Sequence, residues 1–149
     1  MLTGLTPALV IGVAVSLLLT EWIGLTAGGI VVPGYVALLL DRPGALLGFA
    51  VVAFASYGII LLLSTRLMLY GTRRFAVAVL VGMTLSLGAQ WLRVFPEFDL
   101  PFVEWVGLGY VIPGLVAHQF DRQGIWPTLL MLAIAAPVVR LILWLWVHV

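Results

Sequence analysis

Six stretches of 16 to 23 residues contain no charged residue, and most of them are long enough to form membrane helices. A helix needs about 20 mostly apolar residues to cross a bilayer, within a range of about 17 to 25. Only 9% of the residues are charged, against about 25% in soluble domains, so too few charges exist to cover a surface in water. The chain is therefore predicted to be an all-α integral membrane protein, with residues 1–149 in a single membrane domain. The uncharged stretches are Met1–Thr20, Trp22–Leu40, Pro43–Thr65, Phe75–Leu92, Trp105–Phe120 and Gln123–Val139.

The second half of the chain repeats a motif from the first half. Residues 28–42 read GGIVVPGYVALLLDR and residues 108–122 read LGYVIPGLVAHQFDR. Eight identities at a constant offset of 80 are poorly explained by chance, and they indicate an internal duplication. Repeat one covers about residues 5–65, the link covers 66–74, and repeat two covers about 75–149. The pairs are Gly29/Gly109, Val31/Val111, Pro33/Pro113, Gly34/Gly114, Ala37/Ala117, Asp41/Asp121, Arg42/Arg122 and Gly44/Gly124, with Glu21/Glu104, Gly12/Gly82 and Ser16/Ser86 matching at other offsets.

Each copy has a Pro-Gly step inside an apolar segment that also contains several glycines. Because proline fits best in the first turn of a helix, the first copy is predicted to form a half-helix from about Pro33 to Leu40. Such a helix is only about 12 Å long, roughly half of a membrane. Irregular backbone at membrane depth is tolerated only inside protein or beside a wet cavity. A kinked but continuous spanning helix is the alternative for both copies.

Two architectures agree with this pattern. In the preferred one, two spanning helices flank a re-entrant half-helix in each repeat, which gives four spans, both termini inside and parallel halves. In the alternative, the broken segments also cross, which gives six spans, both termini outside and inverted halves. The positive-inside rule makes the arginine-rich link cytoplasmic. The preferred form places Asp41 and Asp121 on the same outer side, within reach of Arg122 and Arg42 respectively; the alternative places them on opposite sides.

The Pro-Gly steps are the predicted ligand-binding feature. A helix N-terminus has unsatisfied N–H groups and the positive end of the helix dipole, and transporters point broken half-helices at substrate carboxylates. Charged residues at membrane depth are costly and are therefore functional candidates too. For the glutamates and arginines, solvated helix ends and helix capping are the structural alternatives. The predicted substrate or polymer path comprises Glu21, Gly29, Pro33, Gly34, Arg42, Glu104, Gly109, Pro113, Gly114 and Arg122.

The sequence shows no motif for catalysis or for metal binding. It has no nucleophile elbow, no Walker motif and no cysteine, and its two histidines are far apart. We therefore expect no catalytic residue and no cofactor or metal bound by this chain, and a net charge of +1 gives no reason to expect nucleic acid. His118 is interpreted as a polar packing residue. Arg140 lies in an apolar span, so it is expected to have a carboxylate partner or to extend toward the interface.

Taken together, these motifs resemble the PgsC/CapC family, the small membrane subunit of poly-γ-glutamate synthase. The resemblance covers essentially the whole chain. It rests on the Thr20-Glu21-x-x-Gly24 step, the Gly29-x-Val31-x-Pro33-Gly34-Tyr35-x-Ala37-Leu38 block, the Leu69-Tyr70-Gly71-x-Arg73-Arg74-Phe75-Ala76 link, and the Gly109-x-Val111-Ile112-Pro113-Gly114-Leu115-x-Ala117 block with Arg122-Gln123-Gly124.

The resemblance implies a multi-pass protein of the bacterial cell membrane that works with a cytoplasmic ATP-dependent amide ligase, PgsB/CapB, and often with an accessory subunit, PgsA/CapA. ATP and Mg would belong to the ligase. The family's complex polymerises glutamate through its γ-carboxyl group and moves the polyanion outward as capsule or free polymer. This implies a subunit that docks the ligase through Arg66, Arg73 and Arg74 and helps pass the polymer. Because a chain of this size encloses little by itself, a homo-oligomer is expected. A pure membrane anchor and a small organic-anion transporter are the alternatives.

Overall fold

The computed structural model describes residues 5–25, 29–68, 70–92 and 106–148. These residues form helices and connecting segments, so the prediction of an all-α chain is confirmed for them. Among the residues that the structure describes, three helices are long and apolar enough to cross a membrane: α3, α4 and the first 22 residues of α6. The helices are α1 (Leu5–Ile23), α2 (Val32–Leu39), α3 (Pro43–Arg66), α4 (Thr72–Trp91), α5 (Val106–Gln123) and α6 (Ile125–His148).

The first Pro-Gly step begins a short helix. Helix α2 has 8 residues and carries Pro33 in its first turn, close to the predicted range of Pro33 to Leu40. Just before it, Gly29 has a φ of 120°, a conformation that favours glycine because it lacks a Cβ. The Leu40 N–H still donates to the Val36 carbonyl, and Pro43 then begins α3 two residues after Asp41. The two prolines therefore mark the start of two consecutive helices.

The second Pro-Gly step lies inside a longer helix. Helix α5 is 18 residues long and contains Pro113 in its interior. The prediction that a half-helix begins at Pro113 is therefore wrong, and the alternative of a continuous helix holds for this copy. A proline is tolerated within an apolar helix where neighbouring groups satisfy the backbone that it disturbs. Here the Ser86 hydroxyl on α4 donates to the Tyr110 carbonyl at 3.5 Å, three residues before the proline.

The chain divides into two compact units, each of which contains three helices. The first unit is Met1–Asp41 with Gln123–Val149, and the second is Arg42–Arg122. In the first unit, α1, α2 and α6 pack against one another. In the second unit, α3 packs on α4, and Ile60, Ala78 and Ala117 join α3, α4 and α5 in one buried cluster. Each unit therefore combines two consecutive helices from one half of the chain with the third helix of the other half.

Each unit contains a close helix contact between two glycines. In the first unit, a Cβ added to Gly12 on α1 would lie 2.6 Å from the Cα of Gly34 on α2. In the second unit, a Cβ added to Gly82 on α4 would lie 2.5 Å from the Cα of Gly114 on α5. Small residues at a crossing let helix backbones touch, which is how helices commonly pack in lipid. All four glycines lie at positions that the sequence comparison pairs across the two halves.

Helices α4 and α5 run antiparallel in the second unit. From the contact between Gly82 and Gly114, the first part of α4 and the last part of α5 extend in the same direction. Arg74, near the start of α4, donates there to Asp121, near the end of α5. Arg42 precedes α3, whose 24 residues span about 36 Å before the link to α4 begins. Arg42 and Arg122 therefore lie at opposite ends of this unit. This placement differs from the preferred architecture, in which both Asp-Arg steps share one side.

We expect Gly82→Ala to destabilise the protein by about 1–3 kcal/mol, the usual cost of overpacking a well-packed contact. The added methyl group would meet backbone atoms of Gly114, which cannot rotate away as a side chain can. Gly88→Ala is the matched control on the same helix, because a Cβ there meets nothing within 4 Å. It should leave stability unchanged or raise it slightly, since alanine favours helix. Thermal unfolding of the purified variants in detergent measures both effects, and equal midpoints would contradict the packing role of Gly82.

Candidate functional site

A cavity with a volume of about 560 Å³ lies in the second unit, between the first turn of α4 and the last turns of α5. It is adjacent to the arginine-rich link, which ends where α4 begins. Two arginines, one aspartate and one histidine contribute the ionisable groups of its wall. Its lining residues are Gly71, Thr72, Arg74, Phe75, His118, Asp121 and Arg122. We refer to it below as the α4–α5 cavity.

Helix geometry explains why these side chains share one cavity. Residues three and four positions apart lie on the same face of a helix, so His118, Asp121 and Arg122 project from one side of α5. On the other wall, Gly71 precedes α4 with a φ of 58°, a value that favours glycine and turns the link into the helix. The Arg74 N–H donates to the Gly71 carbonyl at 3.1 Å, which holds the first turn of α4 in place.

An ion pair connects the two walls of the cavity. The Arg74 Nη2 atom lies 2.5 Å from the Asp121 Oδ1 atom, and the Asp121 side chain is only 9% exposed. The Arg74 side chain is 30% exposed, so part of its guanidinium group remains accessible. Its Nε atom is buried and has no hydrogen-bond partner among the residues that the structure describes. The pair therefore fixes the position of Arg74 without using all of its donors.

Arg122 and His118 complete the polar wall. Arg122 is exposed and forms no ion pair within the described part of the chain. The His118 ring packs edge to face on the Phe75 ring, with centroids 5.4 Å apart, as expected of a polar packing residue. The start of the α4 dipole is positive and the end of the α5 dipole is negative, so the two largely offset each other here. Side-chain charges therefore decide the electrostatics of the cavity.

The matching aspartate of the first copy has a different partner. Asp41 pairs with Arg140 of α6, and both side chains are substantially exposed, at 64% and 44%. Arg140 thus has the carboxylate partner that was one of its two predicted alternatives. The preferred architecture had suggested that Asp41 would reach Arg122 and Asp121 would reach Arg42. Instead, the structure pairs Asp41 with Arg140 and Asp121 with Arg74.

The predicted path residues fall into several environments. Pro33 and Pro113 are fully buried, and Gly34 and Gly114 pack against the glycines of α1 and α4. Gly29 accepts a hydrogen bond from the Ser16 hydroxyl at 3.4 Å through its carbonyl. A role for these residues in a polymer path stays a prediction. Glu21, Arg42, Arg66 and Arg73 are exposed, Gly109 is buried, and Glu104 lies outside the described residues.

Of the predicted path and docking residues that the structure describes, Arg74 and Arg122 meet in the α4–α5 cavity. Sequence reasoning missed Thr72, Phe75 and Asp121 as members of this site, and it assigned His118 to packing alone. The spacing of His118, Asp121 and Arg122 on one helix face was the available signal. In the described ranges, no group of three or more His, Cys, Asp or Glu residues could hold a metal ion.

Comparison with known proteins extends these observations. The family model described as "Capsule biosynthesis CapC" matches residues 11–129, which include α2 to α5 and the α4–α5 cavity. The chain belongs to the CapC family. This confirms the resemblance drawn from the sequence motifs. Helices α3 and α4 and the Pro-Gly steps thus lie within the matched part of the family.

Two curated CapC proteins show the extent of the similarity. The capsule biosynthesis protein CapC of Bacillus anthracis is 37% identical over 119 residues, which cover 79% of this chain and 78% of that protein. The PGA biosynthesis protein CapC of Bacillus subtilis (strain 168) is 34% identical over 119 residues, with the same coverage of both chains. No solved structure matches this chain.

Replacing Asp121 should destabilise the protein more than replacing Asp41. We expect Asp121→Ala to lower the free energy of unfolding by about 1–3 kcal/mol, because it removes a charged hydrogen bond and leaves Arg74 partly buried without its partner. Asp41→Ala removes a more exposed pair and should cost about 0–1 kcal/mol. Thermal and denaturant unfolding in the same detergent compare the two variants. A larger loss in Asp41→Ala would contradict this ranking.

Proposed function

We propose that this protein is the membrane subunit of a bacterial poly-γ-glutamate synthase, that it docks a cytoplasmic ATP-dependent amide ligase, and that it helps pass the polyanionic polymer across the membrane. Membership of the CapC family supports the assignment, since one relative is named for capsule biosynthesis and another for PGA biosynthesis. The observation that carries the finer proposal is the cationic α4–α5 cavity beside the arginine-rich link.

We also propose that the chain crosses the membrane six times, with inverted halves. The positive-inside rule places the link, with Arg66, Arg73 and Arg74, on the cytoplasmic side. Helix α3 is long enough to cross, so Arg42 at its start would then lie outside. Asp121 contacts Arg74, so the end of α5 would lie inside. Opposite placement of the two Asp-Arg steps is what the six-crossing architecture predicts, and both termini would then lie outside.

Docking of the ligase is proposed at the cytoplasmic link. Arg66 and Arg73 are exposed at the two ends of the segment that joins α3 to α4, where they can form contacts with an acidic surface. ATP and Mg would be bound by the ligase, of the PgsB/CapB type. An accessory subunit of the PgsA/CapA type would complete the complex on the outer side. A chain of this size encloses little space by itself, so a path for polymer would be formed by several copies.

Passage of the polymer is proposed to begin at the α4–α5 cavity. Each unit of poly-γ-glutamate carries one free carboxylate, so a polymer path needs fixed positive charge in place of a purely apolar wall. Arg74 and Arg122 provide that charge next to the docking segment, where a nascent chain would leave the ligase. The cavity therefore links the two proposed activities, synthesis on the cytoplasmic side and movement outward.

A pure membrane anchor is the second candidate function. One observation favours it: the Pro-Gly steps are buried in helix packing, at Pro33, Gly34, Pro113 and Gly114. In that case the chain would hold the ligase at the membrane and another route would export the polymer. Substitutions at the cavity and at the link distinguish these functions.

Arg122→Ala should strongly reduce polymer outside the cell while the ligase still co-purifies with the protein. Arg73→Ala should weaken ligase co-purification, because it removes a charge from the docking segment and leaves the cavity wall intact. Both variants are tested in cells that carry the whole synthase, by assaying extracellular polymer and ligase capture in parallel. If Arg122→Ala leaves export unchanged and Arg73→Ala still weakens ligase capture, the anchor is favoured over the path.

The six-crossing topology predicts where single cysteines are labelled, and the chain has no cysteine of its own. Trp126→Cys, at the exposed start of α6, should react with an impermeant maleimide only after the membrane is permeabilised. Tyr70→Cys in the link is the control for the inner side, and Arg42→Cys is the control for the outer side. Labelling of Trp126→Cys in intact cells would instead support the four-span architecture.

A further inference from the structure

We propose that the α4–α5 cavity is a binding site for one monoanionic carboxylate, and that its ligand is the free carboxylate of a single γ-linked glutamate unit. This rests on the proposed function, and it assigns a ligand and a stoichiometry to that site. In this site Arg122 is the principal binding cation, and Arg74 is a second cation that Asp121 holds in position.

The charge of the cavity matches one carboxylate. Its lining carries two guanidinium groups, Arg74 and Arg122, and one carboxylate, Asp121, so the sum is +1 when His118 is neutral. A single bound carboxylate brings this sum to zero. A doubly charged phosphate would leave an excess negative charge next to Asp121, which would repel it. The wall is therefore better suited to a monoanion than to a dianion.

The two guanidinium groups retain donors for such a ligand. Each guanidinium carries five N–H donors in a planar fork that matches a carboxylate. Asp121 engages the Nη2 atom of Arg74 at 2.5 Å, and the group stays partly exposed at 30%. Arg122 is exposed at the rim and has no ion-pair partner in the described part of the chain. A carboxylate in the cavity can therefore be shared between one fixed and one free arginine.

The rest of the cavity wall suits the parts of the glutamate polymer that flank the bound carboxylate. Phe75 offers an aromatic face, 42% exposed, against which methylene groups can pack. The volume of about 560 Å³ lies within the range of about 300–1,000 Å³ typical of small-ligand sites, so a glutamate unit fits with space for the linked chain. Binding at such a site holds one glutamate unit in the cavity, while the neighbouring glutamate units of the polymer remain outside it.

The first copy lacks the same features. Leu38 lies where the second copy has His118. The arginine that pairs with Asp41 is Arg140, from α6. Duplication therefore does not imply two equal sites: the first copy lacks the imidazole, and its aspartate pairs with an arginine of α6. One carboxylate is expected per chain.

Binding by the purified full-length protein in detergent tests this inference. The probes are a fluorescently labelled γ-linked glutamate trimer, inorganic phosphate, and vesicles of phosphatidylglycerol. We expect saturable binding of the trimer, with one site per chain, and weaker competition from phosphate. Arg122→Gln should weaken trimer binding by about tenfold or more, the effect of losing a charge-assisted contact. Arg140→Gln is the control, since it removes the same charge from the first unit and should change affinity less than about twofold.

A second variant tests the role of Asp121 as a positioning residue. Asp121→Asn removes the one negative charge of the lining, so the sum over Arg74, Arg122 and residue 121 rises from +1 to +2. The affinity for phosphate relative to the trimer should therefore rise. A residue that only supported the fold would change both affinities in parallel. Size-exclusion chromatography and thermal unfolding show whether each variant is folded before its binding is compared.

Three results would overturn the inference. The first is the absence of saturable trimer binding to the wild-type protein. The second is an equal loss in Arg122→Gln and Arg140→Gln, which would indicate general electrostatic attraction. The third is displacement of the trimer from Arg122 by phosphatidylglycerol vesicles, at a lipid concentration below the trimer concentration needed for binding. That result would make this a lipid headgroup site.

Two combinations of results distinguish a failure of this inference from a failure of the proposed function. If Arg122→Ala stops export in cells but the purified protein does not bind the trimer, the inference is wrong and the proposed function remains. If the trimer binds through Arg122 but export is unaffected by Arg122→Ala, the site is real and the proposed polymer path is wrong.

Discussion

The glycine crossing of α4 and α5 is the contact on which the candidate site depends. Gly82 and Gly114 bring the two backbones together, and the antiparallel helices extend from there toward the arginine-rich link. Arg74 lies eight residues from Gly82 and Asp121 lies seven residues from Gly114, which correspond to about 12 Å and 10.5 Å along the helix axes. The two side chains therefore reach the same level, and their ion pair forms because the backbones approach so closely at the crossing.

The same crossing in the first unit leads to a different outcome. Gly12 and Gly34 touch in the same way, and seven residues on from Gly34 the chain reaches Asp41. Arg140 of α6 is the partner of this aspartate. Similar backbone contacts thus support different electrostatics, because the aspartate of the first unit pairs with α6 and the aspartate of the second unit pairs with α4.

Polar residues within the apolar helices are largely accommodated by local hydrogen bonds. Ser56, Ser86 and Thr128 are fully buried, and each hydroxyl donates to the carbonyl four residues earlier in the chain. Because a buried hydroxyl without a partner is costly, such bonds let small polar residues lie in apolar surroundings. Ser86 also reaches the Tyr110 carbonyl, close to Pro113, so a residue of the repeat motif supports the helix that the sequence analysis expected to be broken.

The sequence by itself determined that the chain is helical, where the long apolar helices lie, and where α2 and α3 begin. These features are local: a long apolar segment must satisfy its backbone within itself, and a proline favours the first turn of a helix. Only the tertiary structure decided that Pro113 stays within α5, that α3 and α6 pack in units with helices of the other half, and that Asp121 and Arg122 share a cavity with Arg74. These depend on which helix faces meet, and residues far apart in the chain carry no local signal of that contact.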